Sequence, residues 1–183
     1  MPLRNTTRSW GAVSKSLHWL IVLLIIGQWG IAQYAEDLSL LAKGPPLNLH
    51  KSIGMTILAL AVIRLVWRLV NPVPSLQGLA KNWECRLALF SHVMLYALLM
   101  AMPLTGWMMS SARNFPVSWF GQFQFPDLVS PSRTLYQRMN DLHETLFAVL
   151  VIVALLHVAG ALKHHFFDSN EVLRRMLPFG GIK

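Results

Sequence analysis

The chain has 183 residues, of which 54% are hydrophobic and only 13% are charged. This composition is too apolar for an ordinary soluble domain of that length, and it predicts a membrane protein. The formal charge of +8 comes from 16 Lys and Arg against 8 Asp and Glu. Membrane topology accounts for this excess, so we exclude nucleic acid as a partner.

Four long apolar stretches follow one another along the chain, each near the roughly 17 to 25 residues that a spanning helix needs. They cover Leu17–Ala35, Ile53–Val70, Leu87–Ser110 and Leu142–Leu162. We therefore predict an all-α integral membrane four-helix bundle that forms a single domain over residues 1–183. The predicted spans are residues 14–36, 48–70, 86–110 and 136–165. We expect the first to be a retained helix, since no A-x-A cleavage site follows it.

Loop signals separate these stretches. "KGPP" at Lys43–Pro46, "NPVP" at Asn71–Pro74 and the connection Asn114–Ser132 are rich in residues that break helices. We interpret all three as loops between helices rather than linkers between domains.

Basic residues are unequally divided between the two sides of the membrane. With four spans, both termini and the loop between spans two and three lie on one side. That side carries eleven basic residues: Arg4, Arg8, Lys15, Arg64, Arg68, Lys81, Arg86, Lys163, Arg174, Arg175 and Lys183. The other side carries five: Lys43, Lys51, Arg113, Arg133 and Arg138. The positive-inside rule therefore predicts that both termini are cytoplasmic.

His143 and His157 lie fourteen residues apart in a stretch that is otherwise almost entirely apolar. On a helix this spacing corresponds to roughly 21 Å, with a return to within about 40° of the same face. That distance is far too long for two ligands of one metal, whose bonds are about 2 Å each. If both histidines bind metal, they belong to two sites.

The order of the spans assigns a depth to each histidine. His18 and His157 fall near the cytoplasmic face, whereas His50 and His143 fall near the outer face. Haem iron accepts axial histidine, and helix bundles build cofactor sites from facing helices, so we predict two bis-histidine haem sites. The single Cys85 offers no thioether attachment. Interhelical hydrogen bonding is the alternative for any one histidine, and zinc is disfavoured because Asp, Glu and Cys are scarce at these depths.

Other residues are weaker candidates. His92 lies at about the depth of His18 and is either a replacement ligand or a bystander. His164 and His165 follow the inner site, where they are candidate quinone contacts or part of a solvated helix end. Arg64 and Arg68 are candidate partners of haem propionates on the inner side, although topology alone also explains them.

Several short motifs together resemble the bacterial cytochrome b561 family. They are "LHWL" at 17–20, "HKSIG" at 50–54 with Arg64 downstream, "LHET" at 142–145, "LH" at 156–157 and "HH" at 164–165. The resemblance covers nearly the whole chain. It implies a protein of the bacterial inner membrane whose four helices hold two haem b groups. The ligands that it implies match His18 with His157 and His50 with His143, the same pairs that the depth argument gives.

The resemblance also implies an oxidoreductase that transfers electrons between the outer face and membrane quinone. Members similar to superoxide oxidase pass an electron from superoxide to ubiquinone. Related four-helix cytochromes instead serve as membrane subunits of hydrogenases or dehydrogenases and take electrons from a protein donor. The short loops here favour a stand-alone protein. A transporter with a histidine proton relay is a further alternative, but the acidic residues lie at the faces rather than beside the membrane histidines.

Physical chemistry also favours electron transfer over other haem chemistry. Two histidines on one iron fill both axial positions and leave none open for oxygen activation. Cations near the outer site would attract an anionic donor such as superoxide. Lys51 and Arg138 are the candidates at that depth.

Overall fold

The computed structural model describes residues 2–75 and 80–179. Its elements in chain order are α1 (Ala12–Glu36), α2 (Gly44–Val70), α3 (Asn82–Ala112), the strands β1 (Ser118–Trp119) and β2 (Phe123–Gln124), and α4 (Arg133–Phe166). By length and composition, all four helices can cross a membrane. The predicted fold class, an all-helical membrane protein with four long apolar helices, is confirmed.

Two helices begin at residues suited to a first turn. Helix α2 starts at Gly44, so the prolines of the "KGPP" segment lie inside the helix rather than before it. Proline is tolerated there because the first N–H groups of a helix have no partner within the helix. Helix α4 starts directly after Ser132, whose hydroxyl accepts the backbone N–H of Leu135 at 3.3 Å and caps the helix.

Many large apolar side chains of all four helices remain exposed. Examples are Leu23 at 65%, Leu69 at 75%, Leu89 at 58% and Leu156 at 66% of their full accessibility. Such surfaces would be unfavourable in water, because each apolar group left in contact with it forgoes the hydrophobic gain of burial. They suit helices that are surrounded by lipid.

The described residues group into two compact units. The first unit is drawn from Met1–Leu20, Val62–Ala97 and Val149–Lys183. The second unit is drawn from Ile21–Ala61 and Leu98–Ala148. Each helix contributes one segment to each unit.

In the first unit, a buried asparagine joins the segment before α1 to the segment after α2. The side-chain oxygen of Asn5 accepts the N–H of Gly11 at 2.9 Å and the hydroxyl of Ser14 at 2.7 Å. Its amide group donates to the carbonyl oxygen of Pro72 at 3.0 Å. These contacts satisfy buried polar groups where α1 begins.

The segment that follows α4 also packs within the first unit. Lys15 donates to the carbonyl oxygen of Leu177 at 3.0 Å, and the indole N–H of Trp19 donates to that of Met176 at 2.9 Å. The residue next to His18 therefore holds the segment that follows α4.

In the second unit, the connection between α3 and α4 contains a short hairpin. Strands β1 and β2 are antiparallel, with Ser118 opposite Gln124 and Trp119 opposite Phe123. The sequence predicts only a loop in this connection. Two-residue strands are too short to produce a readable alternation of apolar and polar residues.

Candidate metal centres

In the first unit, α1 and α4 bring His18 and His157 together. Their ring centres lie 6.4 Å apart, and the ring planes are inclined at 69°. Trp19 lies beside this pair, with its ring edge-on to His18 at 5.3 Å.

In the second unit, α2 and α4 bring His50 and His143 together with nearly the same geometry. Their ring centres also lie 6.4 Å apart, with an interplanar angle of 64°. The structure thus places the four predicted ligand residues in the two predicted pairs, and each pair lies within one unit. Their role as ligands stays a prediction.

The spacing of both pairs can be compared with metal coordination. An imidazole nitrogen lies about 1.15 Å from its ring centre when ring bonds are about 1.35 Å long, and a metal–imidazole bond is about 2 Å. Two imidazoles on opposite sides of one metal therefore have ring centres about 6.3 Å apart, whereas a tetrahedral pair comes to about 5 Å. The observed 6.4 Å fits the opposed arrangement of axial haem ligands.

A zinc site at these pairs lacks further ligands. Among the described residues, the one group of three metal-type ligand atoms within 4.8 Å of each other is Glu84, His164 and Asp168. None of the four paired histidines belongs to it. The residues of the two pairs therefore fit haem and do not fit a four-ligand zinc centre.

The surroundings of His143 determine which ring nitrogen is free. The hydroxyl of Thr105 lies 3.0 Å from His143 Nδ1, and it donates its single proton to the carbonyl oxygen of Met102 at 2.8 Å. Thr105 must therefore accept a hydrogen bond from Nδ1–H. That tautomer leaves the Nε2 lone pair available for iron, as hydrogen-bonded metal histidines usually do.

His50 is held differently. The side-chain amide of Gln28 donates to the backbone carbonyl oxygen of His50 at 2.7 Å. Nδ1 of His50 and Oε1 of Gln28 are both buried, and neither has a hydrogen-bond partner among the described residues. Because buried polar atoms rarely remain without partners, these two mark a site that is completed by another group.

His92 on α3 is the neighbour of the first-unit pair. Its ring centre lies 5.3 Å from that of His157 at 63°. This spacing is shorter than two opposed ligands of one metal require. The geometry therefore favours His18 over His92 as the partner of His157.

The two candidate arginines occupy different positions. Arg64 donates to the hydroxyl of Tyr96 at 3.1 Å and to the carbonyl oxygen of Ser14 at 2.8 Å. No described carboxylate forms an ion pair with it, so its half-buried charge is available to a propionate. The guanidinium of Arg68 instead lies over the ring of Trp10, 5.6 Å from the ring centre.

A charged network surrounds the end of α4. His164 Nδ1 lies 2.7 Å from Asp168 Oδ2, which also accepts Lys163 Nζ at 2.7 Å, and Lys163 contacts Glu84 as well. The Lys163 hydrogen bond, reinforced by His164 and opposed by partial burial, lowers the pKa of the Asp168 carboxyl. The ammonium of Lys163 bridges the carboxylates of Glu84 and Asp168 and offsets part of their charge without a metal. His165 lies apart, edge-on to Phe166.

The two candidate outer cations also differ. Lys51 donates to the carbonyl oxygen of Pro116 at 3.0 Å and lies over the ring of Phe115 at 5.1 Å. Arg138 is exposed on α4 and makes no hydrogen bond or ion pair with the residues that the structure describes. Lys51 alone is in a fixed position next to a paired histidine.

Gly106 of α3 lies directly against the ring of His143, so replacing it with alanine should displace that ring. An added Cβ would lie 3.3 Å from Cε1 and 3.7 Å from Nδ1. We expect Gly106→Ala to lower the free energy of unfolding by about 1–3 kcal/mol and to reduce bound haem. Thermal unfolding and haem content measure both effects. Gly44→Ala is the control, because nothing lies within 4 Å of its Cβ; equal behaviour of the two variants would contradict the prediction.

Thr105→Val should remove the acceptor of His143 Nδ1–H without changing the shape of the side chain. We expect the affinity of this site for haem to fall by about 10-fold or more, because partners of metal-bound histidines orient the ring. Thr105→Ser should retain most of the affinity. Haem titration of the three proteins tests this expectation, and a serine variant as weak as the valine variant would argue against a role for the hydroxyl.

Comparisons with known proteins agree with this geometry. The family model described as prokaryotic cytochrome b561 matches residues 9–179. Cytochrome b561 homolog 2 of Escherichia coli is 32% identical over 181 residues, 97% of this chain and 95% of that protein. Cytochrome b561 homolog 1 of the same organism is 26% identical over 168 residues, 88% of this chain and 93% of that protein. A Yersinia pestis protein named probable superoxide oxidase CybB is 25% identical over 171 residues, 93% of this chain and 97% of that protein. The chain belongs to the prokaryotic cytochrome b561 family of multi-pass bacterial membrane proteins, which carry haem b and transfer electrons.

Proposed function

We propose that this protein holds two haem b groups and passes single electrons from superoxide at the outer face of the bacterial inner membrane to ubiquinone. The observation that carries the proposal is the matched separation of two histidine pairs, 6.4 Å in each. The pairs are His18 with His157 and His50 with His143. A single such pair would support one haem, whereas two support a chain of two redox centres.

When bound, each haem supplies a centre that gains and loses one electron. The two histidine pairs would hold these groups with two imidazoles for each iron, so that no substrate would bond to the metal. Arg64, which has no carboxylate partner among the described residues, would compensate a propionate beside the His18 pair. The protein thereby restricts its cofactors to outer-sphere electron exchange.

Lys51 supports superoxide as the donor. This residue follows His50 directly in α2, and its ammonium is held by the carbonyl oxygen of Pro116, without a carboxylate partner among the described residues. A fixed cation beside a redox site raises the local concentration of an anionic substrate. Arg138, exposed on α4 five residues before His143, would add to the same field. The name of the Yersinia pestis relative is consistent with this donor.

His164 supports a quinone site beyond the His157 end of α4. Asp168 accepts Nδ1–H of His164 and so fixes the ring, which leaves the other nitrogen to face a quinone carbonyl. His165 is the second candidate contact. Two superoxide anions each lose one electron and leave as dioxygen, while one quinone gains two electrons and two protons to become a quinol.

Purified protein should contain two haem b groups per chain, both released by acid–acetone because Cys85 forms no thioether with them. A pyridine haemochrome assay measures the number. His92→Ala should retain both groups, since the geometry favours His18 as the partner of His157. One haem per chain, or loss of one haem in the His92 variant, would require a different ligand assignment.

The two ligands on α4 should have different kinetic roles. In stopped-flow experiments with superoxide, His157→Ala should keep a rapid partial haem reduction but fail to reduce quinone. His143→Ala should lose the rapid phase itself, because the site of electron entry is gone. The ligands lie fourteen residues apart, so each loss should be local. Identical behaviour of two variants that each retain one haem would contradict an outside-to-inside relay.

The decisive test of the activity is superoxide-dependent quinone reduction by the pure protein. Quinol should form at one per two superoxide anions, and superoxide dismutase should abolish its formation. Lys51→Gln should slow the reaction and weaken its dependence on ionic strength, while Lys43→Gln, a change at a half-buried loop cation, serves as the control. Haem that is reduced only by another protein, with no response to superoxide, would favour the alternative function as a membrane subunit of a dehydrogenase.

A further inference from the structure

The connection between α3 and α4 contains an apolar surface of which the proposed electron-transfer function uses only Phe115 and Pro116, the contacts of Lys51. We call residues 114–126 the aromatic hairpin. Its thirteen residues include five aromatic side chains and no charged one. Four of these rings are well exposed: Phe115 at 56%, Trp119 at 43%, Phe120 at 47% and Phe123 at 55%. A connection in water would normally be polar, so this composition requires a different surrounding.

The aromatic hairpin is bonded to the side of α2. The hydroxyl of Ser52, which is 2% exposed, shares its proton between the carbonyl oxygens of Asn48 and Ser118, both at 2.9 Å, and accepts the N–H of Phe120 at 3.0 Å. The indole N–H of Trp119 donates to the hydroxyl of Thr56 at 3.0 Å. Hydrogen bonds at Ser118, Trp119 and Phe120 therefore fix the hairpin against α2.

The attachment points determine the depth of the hairpin. Ser52 and Thr56 follow the first residue of α2 by eight and twelve positions, which corresponds to about 12 and 18 Å along the helix axis. They flank the start of the apolar run at Ile53, within a helix long and apolar enough to span a membrane. The hairpin therefore contacts α2 at the depth where the apolar, lipid-facing part of this helix begins.

The backbone conformation at the tip of the hairpin is unfavourable for Phe120. Phe120 has a φ of 49°, and Gly121 follows with a φ of 73°. The N–H of Gln122 donates to the carbonyl oxygen of Trp119 at 2.9 Å, which closes the turn. Two successive positive φ values favour Asn or Gly at the first position, and a bulky aromatic residue there is strained. Such strain persists where the side chain has a use.

We propose that the aromatic hairpin is seated in the lipid leaflet at the end of α2 that carries His50, with the rings of Phe120 and Phe123 among acyl chains just below the headgroups. The uncharged sequence, the exposed rings and the attachment to the apolar part of α2 all favour lipid over water. Aromatic residues with one polar edge are the usual occupants of this layer. Trp119 fits the same pattern, since its indole N–H is satisfied by Thr56 while its ring remains exposed.

The proposal can be tested with spin labels on the holoprotein in phosphatidylcholine nanodiscs. In a Cys85→Ser background, which removes the native thiol, a nitroxide is attached to Phe120→Cys or Phe123→Cys. Power-saturation EPR then compares collisions with oxygen, which concentrates in lipid, and with a nickel chelate that stays in water. Both labels should show an oxygen-to-nickel collision ratio several-fold above that of Ser130→Cys, an exposed position in the same connection. Haem content at the wild-type level verifies folding.

Gln122→Cys gives the same measurement with both phenylalanines in place, so loss of a ring cannot decide the result. A high ratio at 122 as well as at 120 and 123 supports the proposal. Nickel accessibility equal to that of the Ser130 label would overturn it and place the hairpin in water. Low accessibility to both reagents would also overturn it, because the rings would then be covered by protein, such as a second copy of the chain or an electron donor.

Discussion

Two imidazoles can hold one iron from opposite sides only if their ring centres lie about 6.3 Å apart with a nitrogen of each directed at the metal. In a membrane protein this condition must be met by side chains from separate helices, surrounded by a medium that offers no hydrogen bonds to a misplaced ring. In both histidine pairs of this chain the ring centres lie 6.4 Å apart, in agreement with that distance. The packing of the helices around each pair fixes the distance between the two imidazole rings.

The two units hold their pairs by different contacts. In the second unit, close approach of α3 at Gly106 and the hydroxyl of Thr105 fix the ring of His143, while Gln28 fixes the backbone of His50. In the first unit, aromatic rings surround the pair, with Trp19 edge-on to His18 and His92 edge-on to His157. Hydrogen bonding and tight packing dominate one site, whereas ring contacts dominate the other. Different surroundings of chemically equal ligands are a general means of separating two redox potentials.

The helices and the pairing of histidines could be predicted because both depend on local properties. Hydropathy over about twenty residues identifies a span, and the order of spans assigns His18 and His157 to one depth and His50 and His143 to the other. The contacts that refine these sites are not local. The approach of Gly106 to His143 and the ion pair between Glu84 and Lys163 join different helices. Neither leaves a periodic signal in the sequence.

The hairpin escaped prediction for a different reason. Its strands are only two residues long, and its stability comes from Ser52 and Thr56 of another element rather than from its own sequence. Isolated hairpins are marginal at best, so pattern alone could not indicate one here. The contact between His164 and Asp168 also escaped prediction, because Asp168 follows the last residue of α4. The ammonium of Lys163 also contacts both Asp168 and Glu84 of α3, and a contact between residues so far apart in the sequence leaves no local pattern.

The contact between Trp19 and Met176 has a consequence for biosynthesis. The ring of Trp19 contacts His18, and its indole N–H donates to the carbonyl oxygen of Met176. The position of Trp19, which is synthesised early, therefore depends on Met176, which is synthesised late. His143 leaves the ribosome before His157, and both precede Met176. The pair in the second unit is thus complete in a nascent chain that still lacks the support of the other pair. If both pairs hold haem as proposed, a chain that stalls near the end of α4 would have its second-unit pair complete while the support of the other pair is still missing.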